Sequence, residues 1–479
     1  MYELVSPVRP KVLLRYLSRL IIGSGFVLLA PLIAALFYGE VTVFAIYILI
    51  VAAIMIFGLA VSRILPDEEL ERKEAVLLAA FIFPFLAAVC TLPISFLTDM
   101  TLLDAFFEAV SGVTTTGLSV SPSDAGPVFL FTRSWLQWTG GIGILIIAML
   151  IFASPGASAY RLYSVNISEE KIRPTVYATA KTILTIYCAL TITAFILLIL
   201  GGMSVFDSLC HAMSSVSTGG FSTSENSISG FSGIFLPFII TLSCIMGAMN
   251  FSLYSLSPGN IRAFISDIQT KYFFAAALLG FVILFFTIYD SSFFQESISI
   301  SLFQAFSALT TSGFSTVDLS LLTDASKAVL TVLMWTGGCV GSTAGGIKII
   351  RLIILLKIIH IVFIRFFLPR EALTPLKAGK EVIESDIVYS TITYVLLYFS
   401  AILISCFIFI IYGFEPGSAL FEVSSAIGTV GLSCGITDAA LPSELKIVLI
   451  VDMLLGRIEI IPLVILLYPR TWIKRRGRI

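Results

Sequence analysis

Charge is what this chain has least of: 29 basic and 30 acidic residues among 479, or 12%, against 58% hydrophobic residues and a mean hydropathy of +1.02. Such a polypeptide cannot cover itself with polar surface in water, which excludes a soluble globular protein and places it in a bilayer. Histidine is nearly missing, with His211 and His360 alone, and the seven cysteines are scattered without pairs at metal-ligand spacing. Neither zinc nor disulfides are expected. Gly230-Phe-Ser232-Gly233 matches the Gly-x-Ser-Gly of intramembrane serine proteases, but a serine nucleophile needs a histidine base within hydrogen-bond reach. His360 falls on the opposite side of the membrane from Ser232, and His211 belongs to a polar helical column for which packing or capping is the expected role. His-Glu-x-x-His, paired-aspartate and Gly-x-Gly-x-x-Gly motifs are missing as well. The expectation is a protein that is not an enzyme, with no organic cofactor and no nucleic-acid partner.

Long apolar runs are abundant instead. They lie at about 14–38, 41–62, 75–97, 128–152, 175–200, 234–256, 271–290, 326–368, 386–412 and 444–468, each long enough to cross a bilayer at about 1.5 Å per residue. The first run is followed directly by a second and has no convincing small-residue cleavage site, so it reads as a retained helix. Basic residues such as Arg15, Arg63, Arg161, Arg262, Arg365 and Arg476 mark one side, which the positive-inside rule makes cytoplasmic, with both termini. The stretches 97–126, 201–233, 286–326 and 413–443 contain no Lys or Arg. They belong outside. They do contain acids, among them Asp104, Asp124, Glu225, Asp290 and Asp318, a one-signed field that would concentrate cations.

Those four stretches share a pattern. It reads Ser111-Gly-Val-Thr-Thr115-Thr116-Gly117-Leu-Ser119, Ser214-Ser-Val-Ser-Thr218-Gly219-Gly220-Phe-Ser222, Ser307-Ala-Leu-Thr-Thr311-Ser312-Gly313-Phe-Ser315 and Ser425-Ala-Ile-Gly-Thr429-Val430-Gly431-Leu-Ser433. Counted from the last glycine, every copy has Ser at −6, an aliphatic at −4, Thr at −2, Leu or Phe at +1 and Ser at +2. A short helix precedes each copy, with positions −13, −9 and −6 on one face. Position −9 gives a polar column of Glu108, His211, Gln304 and Glu422. Non-helical backbone at membrane depth must face protein or water, so the Thr-x-Gly strands should line something wet. Glycine lets carbonyls approach an axis and threonine adds a hydroxyl acceptor, as needed to replace the hydration shell of a monovalent ion.

The fold class expected is an all-α polytopic membrane protein with a two-helix preface, 1–70, and four helix–pore-loop–helix units in pseudo-fourfold arrangement. The units span 71–160, 161–262, 263–372 and 373–479. Cation conduction is the leading function. A carrier or intramembrane enzyme holding an organic substrate in the re-entrant loops is the alternative, but it would place a site between two inverted halves, whereas these four units share one topology.

These residues resemble the Trk/Ktr/HKT superfamily of potassium transporters, the Trk branch in particular, over nearly the whole chain. The resemblance implies potassium as the transported ion, since all-glycine filters go with potassium preference and the glycines here are Gly117, Gly220, Gly313 and Gly431. It also implies a gate. The segment Trp335-Thr-Gly337-Gly338-Cys-Val-Gly341-Ser-Thr-Ala-Gly345-Gly346-Ile-Lys348 has five glycines in ten positions, too many for a continuous helix, and matches the family's intramembrane loop beneath the third filter. A Walker phosphate loop is excluded by Ile347 where lysine is required. The shorter echo Trp138-Thr-Gly140-Gly141-Ile-Gly143 is expected to serve close helix packing. Arg457 matches the family's Gly-Arg-x-Glu, and an arginine at mid-span costs about 2.5–3.5 kcal/mol unless it faces a cavity. It is expected to line the pore, to impede permeation and to be partly neutralised by Glu422, Asp452 or Glu459. The resemblance further implies a homodimer in a prokaryotic plasma membrane, with a cytosolic nucleotide-binding ring subunit docked against loops 153–174 and 366–386.

Overall fold

The computed structural model describes residues 8–66, 68, 71–122, 125–152, 176–233, 235–256, 261–289, 294–369, 375–378 and 381–472. The loop 153–174 and the basic residues Arg161, Arg370, Lys380 and Arg476, which bear on orientation and docking, lie outside them.

The chain begins with α1 (Pro10–Val27), α2 (Leu29–Phe37) and α3 (Val41–Ile64). Lipid gives helices no hydrophobic reason to associate, so small residues let them approach. A Cβ on Gly25 would lie 2.9 Å from Met55 Cγ, and one on Gly58 would lie 3.1 Å from Ser18 O. Beyond this preface the helices are described in four stretches of the chain, one around each Thr-x-Gly segment. The first contains α4 (Arg72–Thr98), α5 (Leu102–Val113) and α6 (Pro127–Phe152). The second contains α7 (Val176–Leu200), α8 (Val205–Val216), α9 (Leu236–Ala248), α10 (Phe251–Leu256) and α11 (Ile261–Ser266). The third contains α12 (Ile268–Ile288), α13 (Phe294–Leu309), α14 (Asp324–Thr336) and α15 (Ile349–Arg365). After a two-residue antiparallel pairing of Lys377–Ala378 with Glu381–Val382, the fourth contains α16 (Ser385–Ile411), α17 (Pro416–Ile427), α18 (Ser443–Ile458) and α19 (Ile460–Leu467). The protein is an all-α polytopic membrane protein, with that short pairing as the one departure among the described residues.

Six of the described helical stretches are long and apolar enough to span a bilayer, among them Val41–Ile64, Ile268–Ile288 and Ser385–Ile411. Among the described residues four of the ten apolar runs are divided between two helices, the 14–38 run at Leu28 between α1 and α2. The 234–256 run stops at Met249, and Asn250 Oδ1 accepts the Ser252 backbone N–H to restart it as α10. The 326–368 run breaks between α14 and α15. The 444–468 run breaks at Glu459, whose φ is +62° and whose carboxylate accepts from Arg351 at 2.8 Å.

The short helices α5, α8, α13 and α17 start and stop for local reasons. Thr101 and Ser204 cap α5 and α8, each accepting a backbone N–H from the aspartate three residues on, Asp104 or Asp207. Pro416 opens α17 at a position that needs no N–H. All four end on the −2 threonine in left-handed conformation, with φ of +55°, +54°, +54° and +49° at Thr115, Thr218, Thr311 and Thr429. The next residue's N–H then returns to the −6 carbonyl, as in Thr116 to Ser111 at 2.9 Å and Val430 to Ser425 at 2.9 Å. Threonine in this conformation costs about 1–2 kcal/mol, which the surrounding packing must offset.

Candidate functional site

The four Thr-x-Gly segments meet. A Cβ built on Gly117 would lie 2.3 Å from Gly219 O, one on Gly220 2.0 Å from Ser312 O, one on Gly313 1.9 Å from Val430 O, and one on Gly431 2.1 Å from Thr116 O. Copy one thus abuts copy two, two abuts three, three abuts four, and four returns to one. The contacts close a ring of backbone. Glycine is required at all four corners, both for those approaches and for φ of +92°, +83°, +72° and +92°.

Each corner is held by the same side-chain bracket. Ser119 Oγ donates to Glu108 Oε1 at 2.7 Å, His211 Nε2 lies 2.9 Å from Ser222 Oγ, Gln304 Nε2 donates to Ser315 Oγ at 2.9 Å, and Ser433 Oγ donates to Glu422 Oε1 at 2.7 Å. The −9 column therefore grips the +2 serine in every copy. One turn along, the −6 serines Ser111, Ser214 and Ser307 donate to the +1 carbonyls at 2.6, 2.8 and 2.6 Å. His211 is fully engaged, since Nδ1 lies 2.8 Å from Asp207 O, and Ser232 is not among its partners.

Two residues missed in the sequence brace this ring from α6. Gln137 donates to Gly219 O at 2.6 Å and accepts from the Phe221 N–H at 3.1 Å. Arg133 donates to Ser119 Oγ and Ser121 Oγ, both at 3.1 Å, and to Ser222 O at 3.0 Å. Its guanidinium lies 3.8 Å from Glu108 and between the rings of Phe129 and Phe221, at 4.9 and 4.7 Å. The signal was present: Arg133, Gln137 and Gly140 sit at i, i+4 and i+7 in an apolar run.

On the serine side of the ring lies a cavity of about 620 Å³, lined by Gly117, Gly220, Gly313 and Gly431 and by Arg133, Glu225 and Asp318. The acidic field is thinner than the sequence suggested. Glu108 and Glu422 are spent in the brackets, and Asp104 pairs with Lys446. Asp124 and Asp290 lie outside the described residues. Asp318 stays charged at the rim: donation from the Ser320 hydroxyl and N–H holds its carboxyl below the usual range.

On the threonine side the segment 337–348 fills the space. The Gly345 N–H donates to Thr311 Oγ1 at 2.7 Å, the Gly346 N–H to Gly428 O at 3.1 Å, and Thr343 Oγ1 to Val216 O and Gly247 O at 3.1 and 3.0 Å. Gly337, Gly341 and Gly346 take φ of +67°, +76° and +73°, and the Gly338 carbonyl receives the Ile349 N–H that starts α15. Lys348, at φ +77°, folds its ammonium back onto Ala344 O. The segment thus touches copies two, three and four.

Arg457 completes the enclosure. It donates to Thr343 O at 2.7 Å and to Gly140 O at 3.1 Å, tying the segment to copy one. The expected acid partners are all elsewhere: Glu422 holds Ser433, Cys434 and Thr437, Asp452 accepts from Ser405, and Glu459 pairs with Arg351. Carbonyl dipoles, not a carboxylate, solvate this buried guanidinium. The Gly140 echo has the expected packing role, for a Cβ there would lie 2.0 Å from Val113 O.

Known proteins share this architecture. The chain is 32% identical over 460 residues to an uncharacterized cation transporter of Methanocaldococcus jannaschii, covering 95% of this chain and 94% of that one. It is 31% identical to the Trk system potassium uptake protein TrkH of Halomonas elongata, over 97% of this chain and 99% of the other. The crystal structure of the potassium transporter TrkH from Vibrio parahaemolyticus superposes with a TM-score of 0.87 at 27% identity, covering 97% of this chain and all of that one. The family model TrkH, described as a cation transport protein, matches residues 86–472. The chain therefore belongs to the TrkH family of cation transport proteins, transporters and not enzymes.

Proposed function

We propose that the ring is the selectivity filter of a potassium uptake pore in a prokaryotic plasma membrane, with the 620 Å³ cavity as its outer vestibule and both termini cytoplasmic. The observation that carries this reading is the closure of four glycine corners into one backbone ring, the geometry in which carbonyls replace an ion's water. The hydroxyls of Thr115 and Thr429 add support, being buried and without hydrogen-bond partners at the ring's inner edge. So do the names of the Halomonas and Vibrio relatives, which are potassium transport proteins.

The segment containing Gly337, Gly338, Gly341, Gly345, Gly346 and Lys348 acts as the gate, a reading supported by its hydrogen bonds with the ring threonines Thr311 and Thr218. Arg457 latches that gate and sets a positive charge in the ion's path. The transporter works as a homodimer with a cytosolic nucleotide-binding ring subunit bound on its inner face. Expression in a potassium-uptake-deficient bacterium tests the reading: growth on low potassium should be rescued, and Gly117→Ser should relax discrimination against sodium. A well-expressed protein that leaves uptake of labelled rubidium at background would overturn it.

A further inference from the structure

Behind the ring, between α16 and α18, lies a polar file that transport through the ring does not use. Asp452 is 1% exposed, and its Oδ1 accepts from Ser405 Oγ at 2.9 Å. Its Oδ2 has no partner, nor do the hydroxyls of Tyr398 and Thr391, both fully buried. Thr391, Tyr394, Tyr398 and Ser405 share one face of α16 at i, i+3, i+7 and i+14. The Tyr398 hydroxyl lies within electrostatic range of the Asp452 carboxyl, and the Tyr394 and Tyr398 rings are 6.1 Å apart. Tyr394 packs under Arg351, whose Cζ is 4.0 Å from the ring centroid, and Arg351 pairs with Glu459, a side chain 34% exposed. The file therefore runs from a partly wet ion pair to a dry, half-satisfied acid.

Ile402 on α16 and Leu449 and Met453 on α18 belong to one buried hydrophobic cluster. Other ionisable groups on the neighbouring elements are committed elsewhere: Lys446 to Asp104, Glu108 and Glu422 to the serine brackets, and Arg457 to Thr343 and Gly140. From α16, Tyr398 is within electrostatic reach of Asp452 without a hydrogen bond to it. An unpaired carboxylate about 14 Å along a membrane helix is costly, and a proton is the smallest ligand that neutralises it. We propose that Asp452, hydrogen-bonded to the Ser405 hydroxyl and with the buried Tyr398 hydroxyl within electrostatic reach, is a proton-binding site that exchanges with solvent. The step is a simple acid dissociation: the carboxyl O–H breaks, the proton passes to solvent water as hydronium, and Asp452 is left anionic.

The consequence reaches the pore through α18. Asp452 and Arg457 are five residues apart, about 7.5 Å along the axis. Loss of the proton places a negative charge where it offsets Arg457, so release favours cation passage. This flux consequence rests on the potassium reading, whereas the proton site does not.

The test uses purified full-length protein in liposomes. Infrared difference spectra between acid and alkaline buffer should contain a protonated-carboxyl band that Asp452→Asn removes and Tyr398→Phe displaces. In parallel, the ratio of wild-type to Asp452→Asn rubidium flux should rise about fivefold or more from roughly pH 6 to pH 8. A band unaffected by Asp452→Asn, or a flat ratio in conducting protein, would make Asp452 a static strut and overturn the proposal. Should Asp452→Asn fail to fold, aspartate carboxyl carbon-13 labelling of the Tyr398→Phe variant carries the same decision: an unshifted band rules the site out. Flux missing from every variant would count against the pore, with the infrared result still deciding the proton site.

Discussion

Trp-Thr-Gly-Gly occurs twice, at 138–141 and 335–338, and the two copies do opposite things. In the first unit the helix runs straight through, from Pro127 to Phe152, and Gly140 lets it press against the carbonyl of Val113. In the third unit the helix stops at Thr336, Gly337 turns to φ +67°, and eleven further residues pass beneath the ring before α15 begins. The tetrapeptide decides neither outcome. Its C-terminal neighbours do: Ile-Gly-Ile-Leu-Ile-Ile continues a helix, whereas Cys-Val-Gly-Ser-Thr-Ala-Gly-Gly supplies glycines at the left-handed positions and hydroxyls that satisfy the exposed backbone. Arg457 joins the two copies, donating to Gly140 O on one and Thr343 O on the other.

Paired substitutions break this comparison most directly. Gly140→Val puts a side chain into the Val113 carbonyl and should displace the first corner of the ring, lowering rubidium flux about a hundredfold or more. The same change at Gly337 strikes Gly345 O within the loop, so it should leave the ring intact and raise flux. Equal losses from both would show that the two copies do one job. Arg457→Ala removes both the latch and a buried charge, and single-channel recording or tracer uptake should report a gain of about tenfold. Thr343→Val removes the hydroxyl bonds to Val216 O and Gly247 O and the one from Thr218 but keeps the Arg457 charge, so the gain should be smaller, about threefold, and visible as longer open times.

Much of this arrangement is legible in the chain. The four patterned segments, their preceding helices and the −9 column are periodic features that survive without knowledge of contacts. The expectation that His211 packs instead of catalysing follows from its place in that column, and its two hydrogen bonds agree. Arg133 and Gln137 are hidden because they sit inside an apolar run whose length, not its polar spacing, is the stronger signal. The expectation of an acid partner for Arg457 fails because electrostatics from sequence assumes that a buried charge needs an opposite charge, while two backbone carbonyls aimed at it suffice here.

Composition and pattern by themselves determined that this chain lives in a bilayer and that it carries four like Thr-x-Gly segments, each preceded by a short helix. Those are local properties, set by hydropathy, periodicity and the dihedral freedom of single residues. Which carbonyl each glycine faces, where the glycine-rich loop lies and what solvates Arg457 were decided only when α5, α8, α13 and α17 converged. Contacts between residues a hundred or more positions apart, such as Gly431 against Thr116, depend on the path of every helix between them. No local rule encodes that path.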